Sequence, residues 1–189
     1  LPFPRSALPY VGNWRNIKPE TYRKFEAFQE HEAFVGRIVF PIRDISGRIV
    51  AFNARHMTGG TPKYLISPPG ARMPLFPTKI DPIQASVILV EGIYDMINLH
   101  DKGLTNAVCC FGTRNINEEK LSILRLQGIE EAIVFFDGDE AGQTAAAKVQ
   151  EMCENVDLLT RNINVVDIDP GALTENQVEK LKDKLYKGV

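Results

Sequence analysis

The chain has 189 residues, 44% of them hydrophobic and 24% charged, the composition of a folded protein with apolar surface for one good core or two small ones. No apolar run approaches the roughly 20 residues that cross a bilayer, and Leu1 to Tyr10 lacks a basic segment followed by an apolar one, so no membrane partner and a cytoplasmic protein are expected. The formal net charge of −2 excludes a surface that is basic all over, so any nucleic-acid contact must be local.

In chain order, a Pro-rich start leads to Pro19, which opens a short amphipathic helix expected to run to Glu30, with Tyr22, Phe25 and Phe28 at helical spacing. Arg37 to Ile42 and Arg48 to Phe52 flank Asp44-Ile45-Ser46-Gly47, so two antiparallel strands joined as a hairpin are predicted. Thr58 to Pro82 carries too many Gly and Pro residues for regular structure and reads as a connection, which divides the chain into lobes at 1–82 and 83–189.

Beyond it, short apolar runs alternate with helical ones. Strands are expected at Val87–Val90, Ala107–Phe111, Ile133–Phe136 and Ile163–Val166, and helices at Tyr94–Lys102, Glu118–Gln127, Ala141–Glu154 and Glu175–Lys187. The last helix has Thr174 as N-cap, Gln177 in the capping-box position and Gly188 beyond its end. Such alternation makes a parallel sheet with helices on its faces. The fold class is therefore α/β, a small mixed α+β lobe followed by a Rossmann-like parallel-sheet domain. Cys109, Cys110 and Cys153 are too few and wrongly spaced for zinc, and His31, His56 and His100 do not pair with them, so buried thiols are expected and no zinc.

In an open parallel sheet, functional groups gather beyond the carboxyl ends of the strands. Two strands here run directly into acids: Val87–Val90 into Glu91-Gly92, and Ile133–Phe136 into Asp137-Gly138-Asp139-Glu140. Their glycines permit the close backbone approach that a phosphate needs. Clustered carboxylates repel one another and call for a divalent cation; hard oxygen ligands favour Mg²⁺, with Mn²⁺ as a substitute. Asp137 and Asp139 alternate along an extended segment and share a face, and Asp167 and Asp169 repeat that spacing. An acid after a strand also caps the next helix, and Asp167 and Asp169 also suit a solvated turn before Pro170.

Glu91-Gly92-Ile93-Tyr94-Asp95 and Asp137-Gly138-Asp139-Glu140-Ala141-Gly142, with the spacing between them, resemble the Toprim domain of bacterial primases, topoisomerases and related nucleases. The first lobe discriminates among these. Gly36 to Asp44, Gly47-Arg48, Ala51 to Arg55 and Pro62 to Pro68 are similar to the primase-specific half of a bacterial or phage-type DNA primase core, and topoisomerases and Toprim nucleases lack that series. The resemblance covers roughly Phe34 to Thr174.

The resemblance implies synthesis of short RNA primers on single-stranded DNA from ribonucleoside triphosphates. It implies Glu91, Asp137 and Asp139 as metal ligands with Asp169 helping, and Asp95 supporting them from the first helix of the domain. Arg55 and Lys63 would be catalytic cations in the cleft. Lys63, Tyr64, Asp95, Gly112 and Thr113 would bind nucleotide, with Gly112 equally suited to a plain turn. Arg37, Arg43 and Arg48, with Arg55 and Lys63, give the first lobe a local basic character for template binding. Primases of cells follow the last aspartate-proline pair with another acid, but here Gly171 follows Asp169-Pro170, which puts one metal position in doubt. A replicative helicase and a zinc-binding module are expected as partners outside this chain, in a bacterial cell or a phage-infected host. The rival readings are a Toprim nuclease and a catalytically silent nucleic-acid-binding module.

Overall fold

A computed structural model describes residues 1–186. The expected end of the last helix at Lys187 and its glycine stop at Gly188 lie outside the described residues. The chain divides into two compact units, Leu1–Pro74 and the remainder from Leu75. The division precedes the expected 82/83 boundary because Leu75 and Phe76 are buried and Phe76 exchanges backbone hydrogen bonds with Cys109, which ties this stretch to the second unit.

The first unit is an antiparallel sheet in sequence order: β1 (Leu8–Pro9), β2 (Phe28–Gln29), β3 (Arg37–Arg43), β4 (Ile49–His56) and β5 (Tyr64–Ser67). The predicted hairpin is β3–β4. Asp44 Oδ1 accepts from the Ser46 and Arg48 amides and closes its turn. Side-chain alternation sorts the sheet into two faces. Phe52 and Ala54 pack with Phe28, Phe34 and Val39 on one. Phe40 stacks on Tyr22 at 6.2 Å, and Asn53, which pairs with Phe40, and Arg55, which pairs with Ile38, share that second face.

Two expectations for this unit need correction. The first helix, α1, spans only Pro19–Lys24, because Glu26 turns left-handed at φ 59° and sends Phe28 into β2. The recurrence of Tyr22, Phe25 and Phe28 was a helical signal only by coincidence of spacing. The breaker-rich connection contains β5, where pairing with β4 supplies the hydrogen bonds between flanking prolines.

The second unit is a parallel sheet of β6 (Ser86–Val90), β7 (Ala107–Cys109), β8 (Glu131–Val134) and β9 (Leu159–Asn162) in the order β7-β6-β8-β9. Its helices are α2 (Ile93–Lys102), α3 (Glu118–Leu126), α4 (Glu140–Asn155) and α5 (Glu175–Leu185). Val87, Leu89, Ala132 and Val134 form a core with Leu121 and Leu124 of α3 and Ala146, Val149 and Cys153 of α4. Tyr186 at the end of α5 is tied in by its hydroxyl, 2.6 Å from Ser86 Oγ and accepting from Asn106 Nδ2 at 2.7 Å. The reciprocal Thr174–Gln177 capping box forms as expected.

The last strand is misplaced by the sequence reading. β9 is the polar stretch Leu159–Asn162, paired with β8. The apolar run Ile163–Val166 follows it as irregular chain, with Val166 70% exposed. An edge strand is held by its backbone ladder and needs little apolar content, so the apolar run was the wrong guide.

Candidate active site

The three acid-bearing segments of the second unit lie where parallel topology brings them, after β6, after β8 and after β9. Glu91 Oε1 accepts the Asp137 amide at 3.0 Å, which binds the first segment to the second. Two glycines bring the backbones together: a Cβ on Gly138 would stand 2.3 Å from the Val165 carbonyl oxygen, and one on Gly142 would stand 2.1 Å from that of Asp137. These glycines therefore admit neighbouring backbone.

Most of the acids also serve local structure. Asp139 N-caps α4 by accepting the Gly142 amide at 2.6 Å, Asp95 Oδ2 accepts the Gly92 amide at 3.0 Å at the start of α2, and Asp169 accepts the Gly171 amide at 2.9 Å. Asp137 is the exception, exposed and with no side-chain partner among the described residues. Asp167 is exposed with φ 59°, away from any strand.

The electrostatics record crowding. Burial, with the charges of Asp137 and Asp139, pushes the Glu91 carboxyl up against the pull of its backbone hydrogen bond. Burial, then Asp139 and Asp169, push Asp137 up. Asp95 is raised to about 7 by burial and by a side-chain hydrogen bond and charge from Asp169. Like charges held together in this way suit a hard divalent cation, which oxygen donors bind in preference to zinc. The acids meet in pairs, however: among the described residues no three Asp, Glu, His or Cys groups already surround one point as an ion would need. Closing a coordination shell requires rotation of side chains now bonded to backbone amides. Cys109, Cys110 and Cys153 are buried and free.

One positioning residue escaped the sequence reading. Asn98, buried on α2, donates from Nδ2 to the Pro170 and Leu173 carbonyls at 2.8 and 3.0 Å, which fixes the Asp169 segment against the helix that carries Asp95. The available signal was a polar residue one helical turn after Asp95 on an otherwise apolar stretch. Gly112, at φ 92°, donates its amide to the Glu91 carbonyl. Thr113 lines an open groove of about 860 Å³ with Arg114, Asp139, Thr144 and Lys148.

The expected cations of the first unit have unequal roles. Arg37 is 6% exposed and donates to the Ala54 and Lys63 carbonyls at 3.3 and 3.4 Å. It is an internal strut, and its assignment to template binding is withdrawn. Arg43 makes a two-pronged pair with Glu26 at 2.7 and 2.8 Å, so its charge is matched locally. Arg48 has an 80% exposed side chain beside Asp44. Arg55 stands 5.4 Å from the Trp14 ring centre and 5.0 Å from that of Tyr64, with buried Nε and Nη1 that have no hydrogen-bond partner. Lys63 is exposed, with Nζ 5.9 Å from the Tyr64 ring centre. No helix of the described chain is long and apolar enough to cross a membrane.

Two family models match the chain, one after the other in sequence. Residues 18–76 match the family model described as the N-terminal domain of the DNA primase catalytic core, and residues 85–163 match that of the Toprim domain. A DNA primase of Pseudomonas putida is 35% identical over 137 residues, 67% of this chain and 20% of the relative. One from Staphylococcus aureus is 32% identical over 154 residues, 76% of this chain and 24% of the relative. The chain thus spans about a quarter or less of the length of these relatives. Among solved structures, a DnaG primase catalytic domain bound to single-stranded DNA is similar with a TM-score of 0.73 at 22% identity, over 90% of this chain and 68% of that one, which bears on the fold.

Proposed function

We propose that this chain, which belongs to the bacterial and phage-type DNA primase family, joins ribonucleotides into short primers on a single-stranded DNA template. The carrying observation is the uncommitted carboxylate of Asp137 beside Glu91 and Asp139, all at parallel strand ends, on a chain that also has the primase-type N-terminal domain. In this reading the 3′ hydroxyl of one nucleotide attacks the α-phosphorus of the next. The new bond is O3′–Pα, the bond from Pα to the bridging oxygen breaks, and pyrophosphate leaves while the hydroxyl proton passes to solvent.

Glu91, Asp137 and Asp139 would hold a divalent cation, Mg²⁺ with Mn²⁺ as a substitute, and Asp169 would assist. Such a cation supplies a lowered hydroxyl pKa and charge to offset the leaving oxygens. Asp95 and Asn98 hold the Glu91-Gly92 turn and the Asp169 segment in place. Arg55 offers a planar fork and Lys63 a point charge to phosphate oxygens, with Tyr64 beneath both, while Thr113 contributes a hydroxyl at the edge of its groove. Arg48 remains as an exposed charge for a template strand. A replicative helicase and a zinc-binding module are the proposed partners.

The test is incubation with single-stranded DNA, labelled ribonucleoside triphosphates and Mg²⁺ or Mn²⁺. Short labelled oligoribonucleotides that disappear in the Asp137→Asn, Asp139→Asn variant support the reading. Cleavage of the template without need for triphosphates would replace it with a nuclease.

A further inference from the structure

The first unit contains a cation with no counter-charge. Among the described residues no carboxylate pairs with Arg55, and its Nε and Nη1 are buried without an acceptor. Aromatic rings can satisfy the faces of a guanidinium but not its in-plane N–H donors. Two unpaired donors on a buried charged edge are a costly arrangement unless something else takes them.

The rings beside Arg55 are held with care. Tyr64 lies directly opposite Arg55 in the β4–β5 ladder, so one ring comes from the sheet itself. Trp14 comes from a 3₁₀ turn whose next two residues, Arg15 and Asn16, take left-handed φ of 59° and 60°. Both backbone polar groups of Trp14 are pinned by tyrosine hydroxyls: its amide donates to Tyr10 Oη at 3.2 Å and its carbonyl accepts from Tyr22 Oη at 2.7 Å. Tyr22 is fully buried, and Tyr10 packs edge-on to it at 4.7 Å. Tyr10 also closes over Gly12, where a Cβ would stand 2.4 Å from its hydroxyl. The turn is thereby fixed, with the half-buried indole of Trp14 beside Arg55. Around the two rings stand three cations, since Arg15 lies 6.0 Å from the Trp14 ring centre and Lys63 5.9 Å from that of Tyr64.

We propose that Trp14 is a positioning residue for phosphate capture: with Tyr64 it holds the Arg55 guanidinium in place, so that the unpartnered Nε and Nη1 donors are presented to a phosphoryl oxyanion. The inference rests on the primase reading for the source of that oxyanion, a nucleoside triphosphate or the nucleic-acid backbone. Asn53, on the same face two residues earlier, has a buried Oδ1 that also lacks a partner. A single trapped water linking it to Arg55 is the competing account.

Trp14 is the one tryptophan of the chain, so its emission reports directly. The whole chain is titrated in EDTA, which removes the metal-dependent acids from the readout, with pyrophosphate, with ATP and with a short oligothymidylate. A saturable change in emission with any of these is expected, and the ligand that produces it at the lowest concentration names the source. Arg55→Lys should weaken that response about tenfold or more, because a point charge cannot replace a held fork. By calorimetry, Trp14→Ala should weaken binding about tenfold and Trp14→Phe, which keeps an aromatic face, less than about threefold. In primer synthesis the Trp14→Ala loss should fall on KM, for ribonucleotide or for template according to the ligand the titration names, with kcat within about twofold.

Unchanged emission with all three ligands, with Trp14→Ala binding as tightly as the parent, overturns the proposal and assigns Arg55's donors to a trapped water. An emission response from a chain that makes no primers supports phosphate capture and removes the primase reading. Primers without a response remove the capture role of Trp14 and leave the reading intact.

Discussion

The two units are complementary in what they lack. In the second, carboxylates crowd one another and several are pushed above their ordinary range by burial and by mutual charge. In the first, a guanidinium stands within 5.4 Å of two aromatic ring centres, and among the described residues its buried Nε and Nη1 have no hydrogen-bond partner. Neither arrangement stabilises an isolated fold, since like charges repel and unpaired buried donors cost free energy. Each makes physical sense as a place for a ligand of opposite charge, a cation on the acids of the second unit and a phosphate on the fork of the first. Unsatisfied charge in an otherwise well-packed protein marks function more sharply here than any single motif, because Asp139, Asp95 and Asp169 also have ordinary capping roles.

The largest test breaks the acidic half. Asp137→Asn with Asp139→Asn should lower primer synthesis by about a thousandfold or more, since metal-assisted charge stabilisation is lost, while thermal stability in EDTA stays level or rises as repulsion is relieved. Asparagine still caps α4, so folding is not the cause. Gly138→Ala comes next. The added Cβ meets the Val165 carbonyl, so the segment after β9 must retreat, with a stability loss of about 1–3 kcal/mol in urea melts and weaker metal binding by calorimetry.

A smaller pair of changes sharpens the picture of the basic half. Arg37→Ala should destabilise the chain by about 2–4 kcal/mol in urea melts, because two backbone carbonyls lose a buried charged donor. Arg48→Ala should leave stability unchanged and lower only salt-sensitive binding of single-stranded DNA in titrations. A further effect is on pH. The Asp95 carboxyl is raised from 3.8 to about 7 in the folded chain, so its contribution is fully present below the unfolded value and is lost as pH rises through the folded one. Metal-free thermal midpoints should therefore fall between about pH 4 and pH 8, and Asp95→Asn or a bound divalent cation should flatten that fall.

The parallel-sheet unit could be read from the chain because its central strands are apolar on both faces and run straight into acids, so strand and site share one signal. β9 could not, since Leu159–Asn162 carries only one apolar residue and is placed by pairing with β8. α1 was overextended because aromatic spacing survives the left-handed turn at Glu26 that ends the helix. Among the site residues, the acids were visible as strand-end positions. The burial of Arg37 was not, because the same Arg at a strand start reads equally as a surface charge. The meeting of Trp14 with Arg55 had no sequence signal either, since it depends on a turn pinned by two tyrosines from separate segments.

The most direct test is a calorimetric titration of Mn²⁺ into the whole chain at neutral pH, repeated on Asp137→Asn. Saturable binding is expected in the parent, weakened about a hundredfold or more by Asp137→Asn, as losing a ligand charge requires. Equal binding in both proteins, or none in either, would contradict the claim that the strand-end acids of this unit are a metal site.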